Sequence, residues 1–183
     1  MIRCFIAIET SSNKLKAVAQ NIRSILQEYN VRASFQDPDS LHITLKFLGE
    51  ITEVKVEKVK NALSKISHEK FKIVASGVNG FPNLGRPRVI FIDVKDCLSL
   101  KILHKKVENL MLLLNFPAER REFKPHITVA RVKSFSRLPN QVYNKLLGMQ
   151  FEETIVIDSV KLKKSTLTPR GAIYEDLHVV KLT

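Results

Sequence analysis

His42-Ile43-Thr44-Leu45 and His126-Ile127-Thr128-Val129 repeat one pattern at two distant places in the chain: histidine, apolar, threonine, apolar. Alternation with a period of two is that of a β-strand with one buried face. It predicts Ile43, Leu45 and Phe47 inward, with His42, Thr44 and Lys46 on the opposite face. In the second copy it turns Ile127 and Val129 inward and leaves His126 and Thr128 together outside. Each copy therefore sets an imidazole and a hydroxyl side by side on a strand surface. Two imidazoles facing one another can act as general base and general acid on a single phosphodiester, because unperturbed histidine titrates near neutrality. A hydroxyl two residues further along can donate to the non-bridging phosphate oxygens and stabilise charge that develops there. Two equivalent arms suit in-line displacement, in which the entering and leaving oxygens lie on opposite sides of phosphorus.

Other chemistries fit less well. Zinc needs three or four protein ligands, and neither copy has a second His, Cys or carboxylate at ligand spacing. A His-activated Thr44 or Thr128 nucleophile is needed once, whereas the motif occurs twice. His68, His104 and His178 lack the threonine partner, and His104 falls on a helical stretch. No glycine-rich phosphate loop is present, so a nucleoside triphosphate site has no support.

The elements around the two motifs repeat as well. Residues 2–8 form an apolar run suited to a buried strand. Thr10-Ser11-Ser12 offers N-caps for a helix carrying Leu15, Val18, Ala19, Ile22, Leu26 and Tyr29 at helical spacing. Asp37-Pro38-Asp39-Ser40 is turn chemistry, and the first His strand follows, ending at Gly49. Thr52 caps a second helix with Val56, Val59, Leu63 and Ile66 inward, residues 71–75 read as a strand, and residues 80–85 as a loop holding Phe81. The order then restarts: a strand over 88–94, a helix capped by Asp96 with Leu100, Leu103, Val107, Leu110, Met111 and Leu114 inward, and the second His strand. Strand, helix, turn and His strand recur at similar separations, which predicts two similar lobes facing each other across a cleft. A short helix over 139–147, stopped at Gly148, and antiparallel strands over 151–163 and 173–182, joined by a turn at 165–171, complete an α+β class.

The 183 residues suffice for one domain, and 44% apolar residues suffice for its core. A formal charge of +12 favours a polyanionic partner, nucleic acid first. Cys4 and Cys97 are far apart and read as buried thiols in a reducing compartment. No apolar run approaches the roughly 20 residues of a membrane span, and no secretory signal layout opens the chain. The expectation is a cytoplasmic protein.

At these residues the chain resembles the 2H phosphoesterase superfamily, whose paired HxTx motifs match His42-Ile43-Thr44-Leu45 and His126-Ile127-Thr128-Val129. Arg3-Cys4-Phe5-Ile6-Ala7-Ile8, Leu41 through Gly49, Gly80-Phe81-Pro82 and Lys163-Lys164-Ser165-Thr166-Leu167-Thr168-Pro169 are similar to its RNA 2′,3′-cyclic phosphodiesterase branch, also called 2′-5′ RNA ligase. The resemblance covers essentially the full length, residues 1–183, as one two-lobed domain with a pseudo-twofold axis. It implies hydrolysis of RNA 2′,3′-cyclic phosphate ends, tRNA-derived ends among them, to 2′-phosphates by a monomer that needs no metal and no cofactor. It further implies His42 as proton donor to the leaving 3′-oxygen, His126 as proton acceptor from water, and Thr44, Thr128 and Arg131 as phosphate contacts. Strict alternation puts Arg131 opposite His126, so it reaches the phosphate only if the strand twists or bulges there; a structural ion pair is the competing reading. Phe81 is the candidate platform for the terminal base, with a packed core phenylalanine as its alternative. Reversible 2′-5′ ligation by the same residues, and a non-catalytic RNA-binding module, both remain open.

Overall fold

The computed structural model describes residues 1–133, 136–169 and 171–183. Its elements are β1 (Ile2–Glu9), α1 (Asn13–Glu28), β2 (Ala33–Phe35), β3 (His42–Ile51), α2 (Glu53–Leu63), β4 (Phe71–Phe81), β5 (Val89–Val94), α3 (Leu98–Leu113), β6 (His126–Val132), α4 (Asn140–Leu147), β7 (Glu153–Ile157), β8 (Ser159–Thr168) and β9 (Gly171–Lys181). The strands form two antiparallel sheets, one ordered β3-β1-β8-β9 and the other β2-β6-β5-β4-β7. This is the α+β architecture that the sequence predicts.

Local chemistry sets most element ends. The Ser12 hydroxyl accepts from the Leu15 amide at the start of α1, and Thr52 accepts from Lys55 at the start of α2. Each satisfies one of the donors that a helix leaves open at its N-terminus. Leu15, Val18, Ala19, Ile22 and Leu26 of α1 are buried, as are Val56, Val59 and Leu63 of α2, and Ile66 beyond it. They join Ile6 and Ile8 of β1, Ile43 of β3, Ile90 and Ile92 of β5 and Ile127 of β6 in one continuous core.

Four expectations are corrected. Asp96 does not cap α3; Cys97 is its N-cap, with no side-chain bond to the helix, and the Asp96 carboxylate pairs with Lys101 instead. Phe81 closes strand β4 rather than sitting in a loop, because pairing with β5 carries the strand past residue 75. The single strand expected over 151–163 breaks at Asp158, and β7 joins one sheet while β8 joins the other. The expected turn at 165–171 is mostly strand, with β8 paired to β9 out to Thr168 and Gly171; Arg170 lies outside the described residues.

The repeated units also exchange parts. β2, from the first unit, pairs with β6 of the second. α1 packs near β6, while α3 packs near β3. The His strands β3 and β6 contact one another directly, although they belong to different sheets. No helix among the described residues is long and apolar enough to cross a membrane.

Candidate active site

Both His strands carry the same irregularity. Along β1 and β3, Glu9 faces His42, Ile8 faces Ile43 and Ala7 faces Thr44, but Ile6 then faces Lys46. Along β5 and β6, Asp93 faces His126, Ile92 faces Ile127 and Phe91 faces Thr128, but Ile90 then faces Ala130. Leu45 and Val129 are thus the extra residues of two bulges at matching positions. A bulge reverses the alternation beyond it and re-aims the next side chains. Burial follows that reversal: Leu45 and Lys46 are both buried, as are Val129 and Ala130, while Phe47 and Arg131 are exposed.

The expected face of Phe47 is therefore wrong, as is that of Lys46. Phe47 is 65% exposed, and Lys46 turns to the core side at 7% exposure. There its ammonium donates to Glu108 Oε2 at 2.9 Å and to the Pro117 carbonyl at 2.8 Å, partners that an otherwise costly buried cation requires. The same reversal returns Arg131 to the face of His126, which meets the condition that its phosphate role demanded.

Each imidazole opens its strand and is held from behind. His42 Nδ1–H donates to the Ser40 carbonyl at 2.8 Å, and His126 Nδ1–H donates to the Lys124 carbonyl at 2.7 Å. A carbonyl only accepts, so the proton of each neutral ring is on Nδ1 and Nε2 carries the lone pair. Aromatic rings wall both sites. The His42 ring centre is 5.0 Å from Phe5 and 5.2 Å from Tyr174; that of His126 is 4.9 Å from Phe81 and 5.1 Å from Phe91. Phe81 thus packs edge-on against His126 from the end of β4, half-buried and outside the main core.

Burial is the largest influence on both imidazoles and pushes each below its ordinary pKa. The carbonyl bonds oppose that shift. Arg131 disfavours the proton on both rings, and Lys163 disfavours it further on His42. One guanidinium is therefore felt at both histidines. Glu9 and Asp93 act in the other direction, each on the histidine across from it. Glu9 is itself engaged. Burial would raise its carboxyl, but hydrogen bonds from Lys161 and Lys163, each 2.7 Å, outweigh that and hold it low. Asp93 accepts from the Asn79 amide at 3.2 Å.

Thr44 and Thr128 lie half-buried on the same faces as the histidines. The two sheets are further tied at the site by the Tyr174 hydroxyl, which donates to Gln36 Oε1 at 3.2 Å, while the Gln36 backbone amide donates to the Val129 carbonyl at 2.8 Å. Glu9, Asp93 and Tyr174 were not picked out by sequence reasoning. Aligning the repeated units offers a signal for the first two, since Ile8-Glu9 and Ile92-Asp93 stand at matching places near the ends of their strands. Tyr174 has no such signal, because β9 follows both units.

The family described as LigT like Phosphoesterase matches residues 6–91 and 93–174. The RNA 2′,3′-cyclic phosphodiesterase of Archaeoglobus fulgidus is 36% identical over 180 residues, covering 97% of this chain and 99% of that protein. That of Aeropyrum pernix is 34% identical over 164 residues, covering 87% and 92%. Among solved structures, TT0787 of Thermus thermophilus superposes with a TM-score of 0.81 at 24% identity, covering 98% of this chain and 97% of that one. Escherichia coli LigT complexed with 3′-AMP gives 0.73 at 20% identity, covering 100% and 98%. The structural likenesses establish the fold.

Proposed function

Because the chain belongs to the LigT-like phosphoesterase family, we propose that it hydrolyses terminal 2′,3′-cyclic phosphates of RNA to 2′-phosphates. The observation that carries this reading is the pair of bulged strands, each presenting an imidazole with its Nδ1 tied to a carbonyl and its Nε2 in reserve, under the influence of a common arginine. The sheets with their helices serve as two pseudo-twofold lobes of one domain, residues 1–183.

The reaction divides between the histidines. His126 is neutral at neutral pH because of its burial, and its Nε2 accepts a proton from water as the water oxygen bonds to phosphorus. The bond from phosphorus to the 3′-oxygen breaks, and His42 Nε2–H supplies the proton that the departing alkoxide needs. The product carries a 2′-phosphate and a free 3′-hydroxyl. In the unliganded site burial and the cations beside His42 keep its proton off. An anionic substrate opposes both effects and favours the imidazolium at the moment the acid is required. Thr44 and Thr128 donate to non-bridging oxygens, and Arg131 neutralises the charge that grows on them. Phe81, edge-on to His126, offers its ring to the terminal base.

The chain's +12 charge suits RNA with such ends as the substrate. The test is to incubate the protein in chelator with RNA ending in 2′,3′-cyclic phosphate and to identify the end that forms. A 2′-phosphate is expected. An unchanged cyclic end would leave only the binding-module reading, and joined 2′-5′ products would favour ligation.

A further inference from the structure

The carbonyls that hold the two imidazoles are themselves held in different ways. Ser40, behind His42, belongs to a turn of 3-10 helix at Pro38–Ser40, closed by its own amide donating to the Asp37 carbonyl at 3.0 Å. Lys124, behind His126, lies in residues 117–125, which form no helix or strand. That segment is fastened from outside, to β3 and α3. The Lys46 ammonium donates to the Pro117 carbonyl at 2.8 Å, and the Glu119 amide donates to Glu108 Oε2 at 3.5 Å. Next to Lys124, the Phe123 ring lies flat on the His104 imidazole, with ring centres 3.8 Å apart and planes 4° from parallel. His104 stands one helical turn before Glu108 on α3, and its side chain is 16% exposed. Burial pushes His104 below its ordinary pKa, so the ring that stacks at neutral pH is uncharged. The proton transfers give this histidine no part.

We propose that His104 is a positioning residue for His126: its stack on Phe123 holds the Lys124 carbonyl where His126 Nδ1–H donates to it. The inference rests on the reading above for the role of His126 as proton acceptor. The carbonyl only accepts, so it keeps the proton of the neutral ring on Nδ1 and the lone pair on Nε2. Once the carbonyl drifts, the proton can settle on Nε2, and that nitrogen has nothing left with which to take a proton from water. The backbone before His126 has no turn of its own to prevent such drift, and the flat stack supplies the restraint one residue away. His42 needs no counterpart, because the Pro38–Ser40 turn fixes its carbonyl locally. Sequence distance conceals the link, since His104 and Phe123 meet only when α3 packs beneath the segment that leads into β6.

The test combines kinetics on RNA ending in 2′,3′-cyclic phosphate with nitrogen-15 NMR of the imidazoles, recorded well above their ordinary pKa of about 6.5. His104→Ala should lower kcat by about 10- to 100-fold, as a displacement of about 1 Å at a reacting group does, and leave KM unchanged. His104→Phe keeps a flat ring on Phe123 and should restore kcat. In the spectra the parent's His126 should carry its proton on Nδ1 alone, and His104→Ala should spread it over both nitrogens. The His42 signals should stay as they are in every variant. If alanine at this position prevents folding, His104→Leu, apolar but without a flat ring, takes its place with the same expected outcomes. An unchanged kcat in a hydrolysing protein, a rise in KM alone, or a His104→Phe variant as slow as His104→Ala would overturn the proposal. The NMR arm stands apart from turnover. A proton spread over both nitrogens in His104→Ala supports the positioning role even if the parent failed to hydrolyse the cyclic end, and one fixed on Nδ1 rejects it even if hydrolysis proceeds.

Discussion

The strand pairs β1–β3 and β5–β6 share a skeleton and differ in what they carry. Both open on a histidine tied to the carbonyl two residues earlier, both set an acidic residue across from it, and both bulge after the threonine. Beyond the bulge they diverge. The first bears Lys46 and Phe47, the second Ala130 and Arg131. The acidic neighbours diverge too, since Glu9 is held in a charge ring with Lys161, Lys163 and Asp176, while Asp93 has a neutral amide partner. Duplicated backbone fixes where the imidazoles sit, and the side chains around them make their two surroundings unequal.

Removing each imidazole in turn has the largest expected effect. His42→Ala and His126→Ala should each lower kcat by about 10²–10⁴, with melting temperatures close to the parent's, because both rings lie at a strand face rather than in the main core. A well-folded variant of either kind with near-normal turnover would end the two-histidine mechanism. Replacing the bridging 3′-oxygen with sulfur sharpens the assignment. A thiol has a pKa of about 8.5, so a thiolate departs without the proton an alkoxide needs. Sulfur should restore much of the rate of His42→Ala and little of that of His126→Ala; the opposite pattern would exchange the two roles.

Residues beyond the bulges should separate into structure and function. Lys46→Ala leaves Glu108 half-sealed against the core without its ammonium, and should cost about 3 kcal/mol of stability in urea denaturation. Ala130 at the matching position has no such dependent. Arg131→Met should instead leave stability within about 0.5 kcal/mol and lower kcat/KM by about 10–100-fold, as loss of a phosphate contact does. If Arg131→Met proved destabilising and catalytically silent, the structural reading of that arginine would stand.

The smallest effect concerns what the two regions share. Burial lowers His42 and His126, and likewise His68 and His104 elsewhere in the chain. An unfolded histidine titrates near 6.5, so below about pH 6.5 the unfolded chain binds protons that the folded one resists. Stability should be fully kept above that pH and fall as acid carries the protein down toward the lowered folded values. Calorimetry at about pH 7.5 and about pH 5.5 should show a lower melting temperature in acid; a higher one would contradict the sign.

Much of the site was legible because period-two alternation reports local geometry faithfully up to the first irregularity. His42, Thr44, His126 and Thr128 stand on the faces that alternation gives them. Phe47 and Lys46 do not, because the bulge lies between them and the motif. Nothing in the strand's own residues announces a bulge; it arises from the pairing with β1, a distant segment.

By itself the sequence determined the two His-Thr strands, the α+β class and the helix faces, since each depends on residues within a few positions of one another. Long-range packing set which side chains stand beside the histidines and which turn into the core. Lys46 is buried because Glu108 waits on α3, Arg131 reaches the histidines because β6 bulges against β5, and Tyr174 reaches His42 because β9 pairs with β8 beside β1. Those outcomes depend on partners far apart in the chain, and the register between two strands is a property of the pair that neither strand encodes alone.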